Sequence, residues 1–539
     1  MFQKPFSAAL AMKATAGLLG LALALSGCAR PDTDPDKPGT DNQSESMFRN
    51  GMIGEQDAPG EPTEGGTLSF AAYSEARSLD PAKTINTGST GGTEMAAVYD
   101  VLLRHNEETL EYEPWLAESF ETTDDKTYVL KLREGVTFSD GTPLNAEAVV
   151  WSINRYITNK GGQTAVWMLA VEKFEATGDL EVTFTLTRPW TGFGYLLATA
   201  PGMIVAKSSD GAGEEFTPTG AGPFTLERYA PGEELVLKRR DDYWKGTPHL
   251  EKLRFFSITS PTGRYETMTS GQSDIAYLRE PHVVVDALKA GYPGFMEVSS
   301  LGRLVLVNHR EGSNTADVRI RQAMSMALDP QLIADREFEG EGMPTLAMFP
   351  KESEWALDTE PLPHDPEQAK KLVEEAKADG HPGTVRFLGI ANAGEAQGLA
   401  LKAQWEAVGL EVKIENAPSV SDLVQTMYVS GDFDTVTWSF GVPDGGVLPE
   451  MYESFHSKGG GPNAYADEEM DKLVIELMEA PDHDAQKAVL EKIQKRYNET
   501  VPSISLGATP EYVAWQKNVH GVMPSVDSVV LLGEAFKAE

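Results

Sequence analysis

Cysteine is nearly absent from this sequence: in 539 residues there is one, Cys28. Without a second thiol there is no disulfide and no thiolate cluster for a metal, so the fold must be stabilised by its apolar core alone. Positive charge is also scarce, with 46 Lys and Arg against 82 Asp and Glu and a formal net charge of -36. A nucleic-acid partner is disfavoured, because phosphate binding needs a basic face. Cationic or zwitterionic ligands are attracted by the same field. None of the nine histidines forms an i,i+4 pair that would mark a helical zinc site, and His309, His456 and His520 read as surface or packing residues. The chain lacks a Gly-x-Ser-x-Gly elbow, a His-Glu-x-x-His and a phosphate-cradling Gly-x-x-x-x-Gly-Lys. No cofactor or metal is expected. Past the first thirty or so residues, no apolar run approaches a membrane span.

The amino-terminal segment carries Lys4 and Lys13 ahead of an apolar run from Ala14 to Leu25. That is the charge and length of an export signal, and it is short for a bilayer span. The run closes on Leu25-Ser26-Gly27-Cys28, which resembles the lipobox of bacterial lipoproteins. The resemblance implies cleavage after residue 27 and lipidation of Cys28, with two or three acyl chains making a lasting anchor at about 0.8 kcal/mol per buried CH2. The protein is then expected at the outer face of a cell membrane. From 28 to 65 the composition turns to Pro, Asp, Thr, Ser, Asn and Gly, which buries too little apolar surface to fold and reads as a disordered tether. A flexible coil of about 37 residues reaches roughly 30 to 35 Å.

Beyond Gly66 the hydrophobic period alternates between two and 3.6. Tyr128, Leu130 and Leu132 alternate, as do Val182, Phe184 and Leu186, predicting half-buried strands. Thr142-Pro143 predicts a helix start, with Val149, Val150, Ile153 and Ile157 on one face. Asp365-Pro366-Glu367-Gln368 predicts another, with Ala369, Leu372, Val373 and Ala376 buried. Helices near 399–408 and 421–429 and strands at 410–414 and 435–438 follow. The alternation predicts an α/β protein with mixed sheets.

Several phrases recur in one order: EARSLDP at 75–81, VYDVLL at 98–103, PWLAES at 114–119, LREGVTFSDGTP at 132–143, TGAGPF at 219–224, Tyr243-Trp244, SGQSD at 270–274 and VRIRQAMSMALD at 318–329. Together they resemble the family 5 solute-binding proteins of bacterial ABC importers, which include oligopeptide-, dipeptide- and nickel-binding members. Most of these phrases have a packing role on their own chemistry. Gly220, Gly222 and Pro223 suit a tight loop, Tyr243 and Trp244 suit packing, and Arg319 and Arg321 open an amphipathic helix as solvated or salt-bridged cations.

The resemblance implies a bilobal periplasmic-binding-protein-like fold. After a signal peptide (1–27) and the tether (28–65), one lobe would comprise 66–98, 222–304 and 512–539. A small appended domain would span 99–221, and the second lobe 305–511, with two crossings as the hinge. Ligand would bind in the cleft, and the closed monomer would deliver it to an ABC permease and its ATPase. A peptide is the ligand most of the family implies. Its terminal amine usually meets an aspartate three residues after a tryptophan, and here WSFGVPDG at 438–445 puts Gly441 at that position. An oligosaccharide, an opine-like conjugate or a metal chelate therefore stays open, as do an exported hydrolase and a sensor outside this class.

A buried ammonium needs a carboxylate partner, for which Glu75, Asp444 and Asp274 are candidates. Trp438 is expected to wall the cleft, with Glu75 and the Ser439-Phe440 backbone as polar contacts. Tyr277 and Arg279 are expected to line the opposite wall, Arg279 being available for a ligand carboxylate.

Overall fold

Two long strands, Gly294–Val307 and Ser503–Trp515, organise the molecule. The computed structural model describes residues 47–54, 60–211, 216–390 and 395–538, all within one unit, Ser46–Glu539; the signal segment and Cys28 lie outside the described residues. The two strands pair antiparallel through the centre of an eleven-stranded mixed sheet. On one side follow Ile275–Leu278, Thr67–Ala72, Lys252–Ser257, Glu234–Arg239 and Phe224–Ala230; on the other follow Thr435–Trp438, Thr384–Ile390 and Glu411–Ala417. Both central strands are buried along nearly their whole length, including polar residues such as Glu297, Ser299, Thr509 and Glu511.

The central pairing is interrupted once. Gly294–Ser299 pairs with Thr509–Ala514, and Leu304–Leu306 with Ser503–Ser505, with irregularities between Ser299, Arg303 and Leu304. Leu301 has φ 49° and Gly507 φ 140°. A Cβ on Gly507 would stand 2.3 Å from the Met343 carbonyl oxygen, a backbone atom that cannot swing aside. We expect Gly507→Ala to destabilise the fold by about 1–3 kcal/mol or more, measured as a shift of the urea midpoint at unchanged slope.

A second, four-stranded antiparallel sheet, in the order Ala117–Thr122, Thr127–Leu132, Glu181–Leu186, Val171–Gly178, packs against the helix Ala146–Thr158. The alternation at 128–132 and 182–186 falls on paired strands of this sheet, with Tyr128, Leu130, Leu132, Val182, Phe184 and Leu186 all buried. The helix starts later than the Thr142-Pro143 signal predicts. Asn145 is its cap, accepting from the Ala148 amide at 2.9 Å, while the Thr142 hydroxyl is engaged by Asp140 at 2.6 Å. Asp365 caps the helix Pro366–Ala378 as expected, and the strand Thr435–Trp438 has the predicted bounds.

The family phrases are mostly joints. Asp100 accepts from Tyr243 Oη at 2.7 Å, Trp244 Nε1 at 3.0 Å and Trp115 Nε1 at 2.5 Å, tying three phrases into one node. A Cβ at Gly220 or Gly222 would collide with the Val98 or Ala97 carbonyl at 2.3 and 2.6 Å. Arg319 is salt-bridged to Asp317 and Asp379, whereas buried Arg321 donates to the carbonyls of Thr315, Ala316 and Thr500.

The tether expected over 28–65 ends earlier than its composition suggests. Phe48 is 5% exposed, and Gly51–Ile53 adds a strand to the edge of Gly294–Met296. Asn50 Oδ1 accepts from the Val298 amide at 2.5 Å, and its Nδ2 donates to Asp444 at 2.6 Å. The cause is local: the run Met47-Phe48 and Met52-Ile53 supplies apolar anchors that a window average over the polar segment conceals. Among the described residues no helix is long and apolar enough to cross a membrane.

Candidate functional site

The strand Thr435–Trp438 stops beside the interruption of the central pair, with Trp438 opposite Leu304. The chain then crosses back through a bridge between Ser300 and Val442. This places Trp438, Ser439, Phe440 and Gly441 along one wall of a cavity of about 350 Å³. The helix Val447–Phe455 adds Glu450 and Glu453, and the loop Gly459–Pro462 adds a glycine-rich rim. The opposite side comes from Thr84–Thr87, from Gln163, Tyr195 and Thr199 beside the smaller sheet, and from Asp527. Both sides of the central crossing and the smaller sheet region therefore contribute to one cavity. Its size suits a small ligand.

Gly441 has φ 70°, a left-handed backbone that favours glycine. The residue type at this position thus follows from the turn that returns the chain to Ser300. An aspartate there would be strained.

The side chains of Asp, Glu, Lys, Arg and His type that line the cavity are all carboxylic acids: Glu450, Glu453 and Asp527. Among the described residues none of the three has an ion pair with Lys, Arg or His; Tyr195 Oη donates to Asp527 at 3.1 Å. Burial, followed by the charge of Asp527, pushes Glu453 up to about 7. Asp527 is likewise pushed up to about 7, by burial first and then by Glu511 and Glu107, against the Tyr195 hydrogen bond and the nearby His105. Glu450 rises well above the ordinary carboxylate range through burial and the charges of Glu453 and Asp527. Loss of hydration and mutual repulsion are the physical cause in each case.

Asp527 is held in place by the backbone. Asp527 and Ser528 have φ 61° and 57°, and the Gly88 amide donates to the Asp527 carbonyl at 2.7 Å. Two successive left-handed residues persist only where the surroundings over-determine them. Behind this loop, Glu297 and Glu511 face each other across the central strands. Ser528 Oγ donates to Glu297 at 2.7 Å and lies 3.2 Å from Glu511. Burial first, then Glu107 and Asp527, raise Glu297 far above the usual range. Arg279 reaches Glu511 at 3.5 Å.

Of the residues predicted from sequence, Trp438, Ser439 and Phe440 line the cavity. Glu75 does not. It accepts from the Gly232 amide at 2.9 Å and borders a separate depression with Tyr229 and Glu94. Asp444 is taken by Asn50, by Ser353 Oγ at 2.5 Å and by the Glu354 amide at 3.1 Å. Tyr277 is fully buried and bonded to Glu511, because its strand, Ile275–Leu278, is covered on both faces. Arg279 faces Glu511 and the Tyr73 ring and is not among the cavity's lining residues. Asp274 is paired with Lys537 at 3.1 Å. Glu75, Asp444, Arg279 and Asp274 each have a partner within the fold, and none of them lines this cavity.

Glu450, Glu453 and Asp527 went unmarked by the sequence motifs. The helical pair did leave a trace: two acids at i,i+3 in a helix whose Val447, Leu448, Met451, Tyr452 and Phe455 are buried. For Asp527 there was no local signal. Among the described residues no group of three His, Cys, Asp or Glu could hold a metal ion.

Comparison with known proteins bears on the same regions. The sequence model of the family described as bacterial extracellular solute-binding proteins, family 5, matches residues 111–462. Protein XP55 of Streptomyces lividans is 27% identical over 462 residues, covering 81% of this chain and 83% of that protein. The probable D,D-dipeptide-binding periplasmic protein DdpA of Escherichia coli is 25% identical over 480 residues, 84% of this chain and 90% of its own. The solved structure of the oligopeptide-binding protein AppA from Bacillus subtilis in complex with a nonapeptide superposes with a TM-score of 0.75. That match has 22% identity and covers 89% of this chain and all of the other.

Proposed function

The chain belongs to the bacterial extracellular solute-binding proteins of family 5, and from that premise we propose that it is a peptide receptor that feeds an ABC importer. Peptide binding is the reading favoured by relatives named for dipeptides and oligopeptides. The observation that carries it is the set of carboxylates in the cavity. The α-ammonium of a peptide needs an acidic partner, and Glu450, Glu453 and Asp527 supply it where Gly441 does not. An opine-like ligand or a metal chelate of net negative charge finds no cation in this lining to offset it.

In this reading the Trp438 indole is the apolar wall on which the peptide lies, and the Ser439 to Gly441 backbone, apart from the Phe440 N–H already donated to the Leu301 carbonyl, offers main-chain hydrogen bonds in the manner of an added strand. Closure of 305–511 onto 66–98, 222–304 and 512–539, about the interrupted central pair, would bury the ligand for presentation to the permease. Lipid on Cys28 would keep the receptor within a tether's length of that partner, at high effective concentration.

Native mass spectrometry of the protein purified from its own host would show a peptide as a mass shift whose fragments give its sequence. Trp438→Ala is expected to weaken that peptide by about 2 kcal/mol or more, roughly 30-fold, in isothermal titration. Undiminished affinity in the variant would remove this cavity as the site.

A further inference from the structure

An acidic cavity of this kind is chemically one-sided. Glu450 and Glu453 sit one turn apart on the helix Val447–Phe455, and Asp527 comes from the other side of the cavity. Carboxylates on two walls leave a single α-ammonium outnumbered. A polar acceptor adds to them: Asn86 lines the same cavity, is 8% exposed, and its Oδ1 has no hydrogen-bond partner among the described residues. Its amide nitrogen makes only long contacts, to the Pro81 carbonyl at 3.5 Å and Met203 Sδ at 3.9 Å. As placed, Oδ1 is itself covered, but an amide held only by long contacts can turn its oxygen to a donor brought by the ligand.

From this arrangement we infer that the receptor selects peptides presenting two positive charges close together, an amino-terminal lysine or arginine, and rejects peptides whose first residue is acidic. The inference rests on the reading of the cavity as the peptide site and narrows it to a chemical class. The first residue's α-ammonium pairs with one carboxylate wall and its side-chain cation with the other, while the Asn86 amide turns to accept from one of their N–H groups. Each charged pair formed in a site of low water content is worth more than its counterpart at a surface. The lining carries no Arg, Lys or His to neutralise a ligand carboxylate. The net charge of -36 favours encounter with cations on the same account.

Three tripeptide amides that differ only in their first residue test this on the purified full chain: lysyl-, norleucyl- and glutamyl-alanyl-alaninamide, titrated calorimetrically near neutral pH. The lysyl peptide is expected to bind about 30-fold tighter than its uncharged isostere, with the glutamyl peptide weaker than both. In the Glu450→Gln/Glu453→Gln variant the lysyl-to-norleucyl ratio is expected to collapse towards one, a change that mere loss of folded protein would not produce. Equal affinity for the lysyl and norleucyl peptides in the wild-type protein would overturn the charge selectivity and leave the peptide reading standing. Failure of all three to bind would overturn the peptide reading and this inference with it.

Discussion

Arg155→Met is expected to cost about 3–5 kcal/mol of folding stability, the largest single loss we anticipate outside the apolar core. Arg155 lies on the helix Ala146–Thr158, and its Nη1 and Nη2 reach the two oxygens of Asp80 at 2.8 Å each. Its Nε also reaches Asp210 at 2.9 Å. The side chains of Asp80 and Arg155 are 1% and 8% exposed. Removing the cation would leave a carboxylate with little water and one remaining backbone donor, the Ala82 amide at 3.0 Å. Breaking such a pair costs far more than the pair contributes over an apolar substitute, so the double variant Asp80→Leu/Arg155→Met should recover part of the loss. Urea unfolding near neutral pH measures both.

The pair also sets a pH response. Burial pushes the Asp80 carboxyl up, but the Arg155 hydrogen bonds, the Ala82 amide and the Arg155 charge together outweigh it and hold it below its usual value. A depressed carboxylate stabilises the fold above its unfolded pKa of about 4 and loses that contribution as pH falls through the folded value. A loss under about 1 kcal/mol in Arg155→Met would mean that the pair behaves as a surface contact.

Affinity for a cationic peptide should fall about 30- to 100-fold between neutral pH and about pH 5. Burial and neighbouring carboxylates push Glu453 and Asp527 up to about 7 and Glu450 above the ordinary range. A bound cation favours their charged forms, so binding below neutrality must first release protons, and affinity rises with pH until they are ionised. The groups acting on Asp527 are Tyr195, Glu511, His105 and Glu107; Glu453 senses Asp527, and Glu450 senses both. Titration in two buffers of different ionisation enthalpy counts the protons released, and Glu453→Gln/Asp527→Asn should flatten the profile. The empty protein responds in the opposite sense. Raised carboxyl pKa values make it lose stability as pH climbs from about 4 to about 7, because the unfolded chain ionises first. A pH-independent affinity would show that these carboxylates do not meet the ligand.

Local signals carried well where the cause was local. The cap at Asp365 and the strand Thr435–Trp438 stand where their residues predicted, because a cap needs one side chain and one amide, and a buried strand needs one apolar run. The misplaced helix start at Thr142 was a competition between two caps three residues apart, decided by Asp140 capturing the Thr142 hydroxyl. The Met47–Ile53 arm was hidden because four apolar side chains in a polar segment look like chance until a sheet edge is present to receive them.

Taken alone, the sequence predicted an exported chain without disulfides, an α/β architecture, a resemblance to the family that the comparisons then matched, and the stretch Trp438 to Phe440 that lines the cavity. These follow from periodicity, composition and motifs that act over a few residues. Which carboxylates line the cavity was decided by tertiary structure. Glu75, Asp274 and Asp444 are ordinary acids in the sequence, and each is satisfied by a partner: 157 and 263 positions away for the first two, and 394 for the third. Glu450, Glu453 and Asp527 are equally ordinary acids, and folding gathers them around one cavity with no cation to match. A carboxylate's role depends on which charges and donors lie within a few ångströms of it, and long-range pairing of the chain decides that.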